Sequence, residues 1–356
     1  MRVAAGQHSR AGESEMSLEQ FKAEGYTVIH DVLTAETVVR LRAGLDPHWQ
    51  RLIEQGERSP FWDRGHASNA GNARSGTRGG TARVSVSNAL QQVGDAMGLG
   101  ELVLEYLLAQ PCLDFTERVL GPYFQLDDYS IAGTPGARQG HPLPGEDRGS
   151  AVAETGEALI LWHRDSFNSI QQFSYFYSGD SGAGGGGKAA GRSADSSLPP
   201  PKRYAPPLMM NQVLFLQDSK LAVIPGSHLD SVGRLQPAET RETHPAQRVV
   251  DVPAGSAILF AVDTLHSGVV NPADSQVRYL LSVHFQRAGL PSRDLPFAHE
   301  CETATSALEA ARLRGDTRVV RVLGGDDGQW LEAQEVEWAK VAEQERAARS
   351  AAAPRL

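Results

Sequence analysis

The sequence has only two cysteines, Cys112 and Cys301, among its 356 residues. Two cysteines cannot form a disulfide framework or a cysteine-rich zinc site, and a reducing, intracellular setting is therefore expected. No run of about 18 apolar residues is present, so no transmembrane helix is predicted. Residues 1–15 also lack the apolar stretch of a secretory signal.

Basic residues are in the minority. The chain has 34 lysines and arginines against 43 aspartates and glutamates, which gives a net charge of −9. An acidic chain is poorly suited to the phosphate backbone of a nucleic acid, so neither nucleic-acid nor membrane binding is expected. Hydrophobic residues make up 40% of the chain, which is sufficient for a sizeable core.

Glycine, by contrast, is abundant, and 13 of its 36 residues lie in two stretches. One runs from Gly56 to Gly80, and the other runs from Gly179 to Gly191 and continues into a segment rich in Ser and Pro. Such composition buries too little apolar surface to offset the entropy lost on ordering. Residues 1–16 are expected to be disordered, and flexible insertions are predicted at 56–82 and 178–207.

The periodicity of the remaining sequence changes along the chain. Helical spacing of apolar residues predicts helices near the N-terminus, over 89–120 and in a C-terminal extension at 291–356, and Thr34 is expected to cap a long helix. Short segments separated by Gly, Pro, Asn and Asp fill the middle and are typical of an all-β core rather than a doubly wound sheet. Strands are predicted at Tyr26–His30, Phe124–Ile131, Ala158–Asp165, Leu208–Leu216, Leu221–Ile224, Arg248–Val252, Ser256–Phe260 and Tyr279–Phe285.

The chemistry of the chain is expected to centre on two histidines and a carboxylate. A single residue separates His163 from Asp165 at the end of a predicted strand, and side chains two apart on an extended chain share a face. The pair could bind one metal ion, or simply form a local hydrogen bond. His266 follows a buried strand and would complete a 2-His-1-carboxylate triad, which leaves three positions open on an octahedral ferrous ion.

Further polar residues could surround such a centre. Arg278 opens the last predicted strand, and its planar, permanently charged fork suits a co-substrate carboxylate held in two places. The Pro225–His228 segment is expected to form a turn in which Gly226 adopts a positive φ, with His228 structural rather than a ligand. A set of strand residues could line the pocket or bond a co-substrate: Tyr129, Trp162, Asn211, Ser267 and His284.

The order of these pieces resembles the phytanoyl-CoA dioxygenase family of Fe(II)- and 2-oxoglutarate-dependent oxygenases. The resemblance covers roughly Ser17 to Ala288 without the glycine-rich stretches, and it departs from the family in a shortened turn after Asp218. It rests on the opening Phe21–His30, the His163-x-Asp165 pair, the Pro-Gly-Ser-His sequence within Val223–His228, and the tail that runs from Gly255 through His266 and Asn271 to Arg278.

The resemblance implies a mainly β fold with flanking helices, built on a double-stranded β-helix (a jelly-roll or cupin-like barrel) as a single domain over 17–290. It implies that His163, Asp165 and His266 ligate Fe(II) and that Arg278 holds the distal carboxylate of 2-oxoglutarate. The expected reaction uses O2 to hydroxylate an unactivated C–H bond of a small organic or acyl-CoA-like substrate, with release of succinate and CO2. Ascorbate would serve as reductant. Halogenating relatives lack the carboxylate, so Asp165 favours hydroxylation.

Two alternatives stay open. The chain could be a non-catalytic barrel that binds a ligand or partner through the same pocket, or a cupin-like metalloenzyme that does not use 2-oxoglutarate. The second alternative would leave Arg278 without a purpose. The C-terminal Pro354-Arg355-Leu356 resembles a peroxisomal import tripeptide, so a peroxisomal location is a close alternative to the cytosol.

Overall fold

Helices dominate the N-terminal part of the described chain, and strands dominate its middle. The computed structural model describes residues 18–55, 62–63, 83–86, 90–134, 158–159, 162–165, 207–229, 243–270, 276–287 and 301–325. Among the helices in these ranges, none has the length and apolar character needed to cross a membrane. The helices are α1 at 18–24, α2 (Ala35–Gln55), a π-helical segment (Leu90–Asp95), α3 (Gly100–Leu107), α4 (Gln110–Leu120), α5 (Glu302–Arg314) and α6 (Thr317–Val322).

The helix starts and breaks follow local sequence signals. Thr34 caps α2 as predicted, because its Oγ1 accepts a hydrogen bond of 3.1 Å from the backbone N–H of Thr37. The predicted helix over 89–120 is divided into three pieces. Gly98 has a φ of 67° between the first two pieces, and a proline stands in the first turn of α4, where its missing N–H costs nothing.

The strands form two antiparallel sheets of seven and four strands. The larger has the order β1-β9-β6-β11-β4-β3-β2, and the smaller has the order β5-β10-β7-β8. Their bounds are β1 (Tyr26–Ile29), β2 (Trp62–Asp63), β3 (Arg83–Val86), β4 (Phe124–Thr134), β5 (Ala158–Leu159), β6 (Met209–Phe215), β7 (Ser219–Val223), β8 (Arg248–Val252), β9 (Ala257–Ala261), β10 (His266–Val270) and β11 (Arg278–Arg287).

Most predicted strands coincide with observed strands, with three differences. Within the predicted strand Ala158–Asp165, the described residues form β5 and an isolated bridge at His163, and residues 160–161 lie outside the described part of the chain. The strand β10 was not predicted, because Ser and Gly interrupt its alternation. The predicted flexible insertion at 56–82 contains β2, which pairs with β3 and so belongs to the larger sheet. Other predicted segments lie outside the described residues: the rest of 56–82, residues 1–16 and 178–206, and residues 291–300 and 326–356 of the C-terminal extension.

The two faces of the larger sheet bury different cores. On β6, Val213 and Phe215 point towards the smaller sheet and pack with Val223 of β7, whereas Met210 and Leu214 point the other way and pack with the helices. Strand residues alternate between faces, so β11 follows the same rule. Every second residue of β6 and β11 therefore lines the interior between the two sheets, and the candidate centre lies among these inward-facing residues.

The shortened turn after β6 is held by hydrogen bonds. The Nε2 of Gln217 donates to Ser219 Oγ at 2.9 Å and to the Tyr279 carbonyl at 3.0 Å. The Oδ1 of Asp218 accepts from the backbone N–H of Ala254 at 2.9 Å. The shorter connection therefore still links β6 of the larger sheet to β7 of the smaller sheet, with these two side chains hydrogen-bonded.

Candidate metal centre

The backbone brings the two histidines of the centre together. His163 and His266 form an isolated antiparallel bridge in which each backbone N–H donates to the other's carbonyl at 3.0 Å. Their rings lie side by side, with centroids 4.2 Å apart. Because β10 begins at His266 and lies between β5 and β7, the bridge attaches the His163 segment to the smaller sheet.

Asp165 completes a cluster of three donor atoms that lie within 4.8 Å of one another. Its Oδ1 lies 3.6 Å from His163 Nε2 and 3.7 Å from His266 Nε2. Both distances exceed a hydrogen bond, so the alternative of a local His163–Asp165 hydrogen bond does not describe this pair. The exposed fraction of the side chains rises from 6% at His266 through 17% at Asp165 to 29% at His163, and the cluster therefore opens on the His163 side.

The tautomer of His266 suits a metal ligand. Its Nδ1 lies 3.0 Å from the Thr264 carbonyl, which can only accept a hydrogen bond, so Nδ1 carries the proton. The lone pair of Nε2 then points to the cluster, and a hydrogen bond from the other ring nitrogen is how proteins usually orient histidine ligands. The buried ring of Phe260 packs against the imidazole, with centroids 4.4 Å apart.

The second carboxylate oxygen of Asp165 faces the larger sheet. Its Oδ2 accepts a hydrogen bond of 2.7 Å from the Nδ2 of Asn211, on β6. The Oδ1 of Asn211 in turn accepts one of 2.9 Å from the hydroxyl of Ser282, on β11. Both supporting side chains are buried, at 4% and 7% exposure. The carboxylate is thus tied to both central strands of the larger sheet.

Titratable neighbours surround the same carboxylate. Burial alone would raise the pKa of Asp165, but the facing rings of His266, His284 and His163 hold it well below its usual range. His284 lies between two carboxylates, with Nε2 3.6 Å from Asp165 Oδ2 and Nδ1 3.4 Å from Asp128 Oδ2. Burial lowers the pKa of His284, but the two carboxylates offset this and raise it to about 9. His284 therefore lines the centre, as the sequence indicated.

The Pro225–His228 segment holds the two ligand-bearing segments in place. Gly226 has a φ of 76°, which confirms the predicted positive φ at this turn. The Nη1 of buried Arg164 donates to the carbonyl of Ser227 at 3.0 Å and to that of Asp263. The hydroxyl of Ser227 accepts from the backbone N–H of Leu265 at 2.8 Å. The segment therefore contacts the residue between His163 and Asp165 and the residue before His266.

Arg278 lies on the interior face at the start of β11. Its Nη2 donates to the carbonyl of Lys220 on β7 at 3.3 Å, and its guanidinium carbon lies 4.5 Å from the ring centroid of Phe215. By strand parity Arg278 shares its face with Ser282 and His284. Ser282 donates to Asn211, and His284 lies beside Asp165. The Arg278 side chain therefore reaches from the larger sheet to the smaller sheet, on the interior face that also carries the cluster.

Three of the other suggested pocket residues lie elsewhere. Ser267 is fully buried and pairs with Ala222, on the face of β10 opposite to His266. Tyr129 faces the helices, where its hydroxyl donates to the Val103 carbonyl at 3.2 Å. Trp162 packs in a separate apolar cluster behind the smaller sheet. His228, expected to be structural, lies with Nε2 3.2 Å from the Lys22 carbonyl of α1.

Three residues of the centre were not anticipated from the sequence: Asp128, Arg164 and Ser282. Ser282 could have been found by parity, since it lies an even number of residues from Arg278 and His284 on one strand. Asp128 lies on β4 opposite His284, a pairing that depends on the register and on a bulge next to His284. Arg164, beside two predicted ligands, carried no signal that its side chain would be buried.

No protein-family model and no curated protein matches this sequence. Among solved structures, the chain aligns with HygX from Streptomyces hygroscopicus, crystallised with nickel and 2-oxoglutarate bound, at 12% identity, over 78% of this chain and 88% of HygX, with a TM-score of 0.45. Two proteins of nogalamycin biosynthesis also align. The non-heme α-ketoglutarate-dependent carbocyclase SnoK is 16% identical over 80% of this chain and 90% of its own, with a TM-score of 0.45. The non-heme α-ketoglutarate-dependent epimerase SnoN is 17% identical over 78% and 82%, with a TM-score of 0.44. Such values do not establish a common fold, so the centre is interpreted from its own geometry.

Proposed function

We propose that this chain is an Fe(II)- and 2-oxoglutarate-dependent oxygenase that hydroxylates a C–H bond of a small organic or acyl-CoA-like substrate. The observation that carries the proposal is the cluster of His163, Asp165 and His266, whose donor atoms converge within 4.8 Å. Two imidazole nitrogens and one carboxylate oxygen are the facial triad of non-heme iron oxygenases. In this proposal the three side chains hold the ion and leave its remaining positions to co-substrate and oxygen.

The donor set fits a ferrous ion in its protonation and its support. The proton on His266 Nδ1 leaves Nε2 available, and the hydrogen bond from Asn211 to Oδ2 favours the charged form of the Asp165 carboxylate. Bound there, the ion would supply the redox chemistry that couples oxidation of 2-oxoglutarate to succinate and CO2 with insertion of one oxygen atom into the substrate. The chain itself contributes binding, orientation and a partly buried setting.

Arg278 is proposed to bind the distal carboxylate of 2-oxoglutarate. It lies on the interior face of β11 with its guanidinium over Phe215, so an anion there would meet a fixed charge against an apolar surface. This role favours the oxygenase over a metal enzyme that lacks the co-substrate. Asp165 favours hydroxylation over halogenation, because the carboxylate occupies the position that a halide would need.

The proposed architecture is one double-stranded β-helix domain over 17–290, as in the phytanoyl-CoA dioxygenase family that the sequence resembles. Two observations support it. The sheets face each other across a shared apolar interior, and β1 near the start of this range pairs with β9 near its end. The metal cluster also takes two residues from the His163 segment and one from β10, so both belong to one folding unit.

The proposal is tested by incubating the purified chain with Fe(II), ascorbate, 2-oxoglutarate and O2 and measuring succinate. Slow succinate release without any further substrate is expected, and a candidate substrate should accelerate it while gaining one oxygen by mass spectrometry. The Asp165→Ala variant should release none. A chain that binds Fe(II) and 2-oxoglutarate but forms no succinate would instead be the non-catalytic barrel.

A further inference from the structure

We propose that Asn211, held by Ser282, positions Asp165 so that it binds the metal through Oδ1 alone. The inference rests on the proposed function, because it assumes that Asp165 is a ligand. It adds two positioning residues and a defined ligation mode for that carboxylate. It also gives a role to a buried amide and a buried hydroxyl that lie on the interior face of two neighbouring strands.

The two oxygens of Asp165 have different surroundings. Oδ1 is the oxygen near both histidines, at 3.6 Å from His163 Nε2 and 3.7 Å from His266 Nε2. Oδ2 accepts the 2.7 Å hydrogen bond from Asn211 and lies 3.6 Å from His284 Nε2. A carboxylate oxygen already engaged by an N–H donor on the far side is held away from the cluster, and only Oδ1 faces it.

The orientation of Asn211 follows from its two partners. A carboxylate only accepts hydrogen bonds, so the amide nitrogen must point to Asp165 and the amide oxygen to the hydroxyl of Ser282. A rotated amide would place its carbonyl against the carboxylate and lose the bond to Asp165, although its nitrogen could still donate to the hydroxyl of Ser282. The side chain is 4% exposed, so water cannot readily replace either partner.

The ligation mode decides how many positions remain on the ion. Two histidines and one carboxylate oxygen occupy three of six octahedral positions, which leaves three for a chelating co-substrate and oxygen. A carboxylate that bound through both oxygens would occupy a fourth position and leave two. By holding Oδ2, Asn211 keeps open a position that the proposed reaction requires.

The test compares Asn211→Ala and Ser282→Ala with the matched control Gln212→Ala. Gln212 is the next residue on β6, is equally buried, and also makes a side-chain hydrogen bond, at 2.8 Å to Thr116 Oγ1 on α4. It faces the helices rather than the cluster. Its loss should therefore reproduce a general destabilisation of β6 without changing the metal centre.

The readout is the protein loaded with Mn²⁺, an ion that EPR detects directly. Broadening of its lines in ¹⁷O-labelled water counts the water ligands, and a titration gives the affinity. The native chain and Gln212→Ala should hold about three waters. Asn211→Ala should hold about two, with an affinity that is roughly 10- to 100-fold lower. Ser282→Ala should shift both values in the same direction by less, and it decides the question if Asn211→Ala does not fold.

Three waters in both Asn211→Ala and Ser282→Ala would overturn the proposal, even if the affinity fell, because Asn211 would then support the site without controlling ligation. A change in Gln212→Ala equal to that in Asn211→Ala would overturn it too, since general destabilisation would then account for the effect. If the native chain bound no Mn²⁺ at all, the proposed function itself would fail, and the two failures are therefore distinguishable.

Discussion

His163 and His266 exchange both of their backbone hydrogen bonds, with N···O distances of 3.0 Å in each direction. The two imidazoles are therefore brought together by main chain rather than by flexible side chains. In a centre built this way the main chain already holds the two segments together. Metal binding therefore does not have to offset the entropy lost on joining them. Mutations that loosen the bridge should weaken metal binding even when all three ligands remain.

Arg164→Met should weaken the centre without removing a ligand. The guanidinium is buried and donates to the carbonyls of Ser227 and Asp263, so its loss leaves two carbonyls without this donor. The expected cost is about 1–3 kcal/mol in the free energy of unfolding, measured with urea, together with a lower affinity for Fe(II). The control Arg248→Met removes an exposed cation from a surface pair with Glu24 and should cost much less.

Arg278→Ala should raise the 2-oxoglutarate concentration needed for half-maximal succinate release, while Fe(II) affinity stays near that of the native chain. The reason is that Arg278 would bind the co-substrate and not the ion. Steady-state kinetics with varied 2-oxoglutarate measure the first quantity, and a metal titration measures the second. The matched control is Arg42→Ala, which removes an arginine that lies over Tyr279 on the helix-facing side. An unchanged co-substrate requirement in Arg278→Ala would exclude Arg278 from the site.

Acid should destabilise the chain partly through His228. Burial lowers the pKa of His228, although its bond to the Lys22 carbonyl acts in the opposite direction. A histidine with a lowered folded-state pKa contributes stability above the unfolded-state pKa of about 6.5, and this contribution is lost as the pH falls below that value. The loss of unfolding free energy between about pH 7.5 and about pH 5.5 should therefore be smaller in His228→Gln. An equal loss in both chains would exclude this role of His228.

Much of the architecture could be predicted from local pattern. The alternation of apolar residues predicts most of the strands. The capping preference of Thr34 predicts the start of α2, and the tolerance of Gly226 for a positive φ predicts a turn. The His-x-Asp spacing placed His163 and Asp165 on one side of an extended segment, and the structure brings His266 to them. Local chemistry is sufficient for such features because they depend only on near neighbours.

The remaining features depend on strand register and on contacts between distant segments. The contact between Asn211 and Asp165 crosses from β6 to the His163 segment, and no local pattern encodes it. The side of β10 on which Ser267 lies became clear only when its pairing with Ala222 was known. The burial of Arg164 depends on two carbonyls supplied by the turn and by the segment before β10.

The central claim is that His163, Asp165 and His266 hold one ferrous ion. Its most direct measurement is the iron content of the chain after anaerobic incubation with Fe(II) and removal of free metal. The native chain and the control His48→Ala, which alters a histidine packed beside Trp49, should retain about one ion per chain. Asp165→Ala and His163→Ala should retain almost none. Full iron content in both of these variants, with the fold intact, would contradict the account.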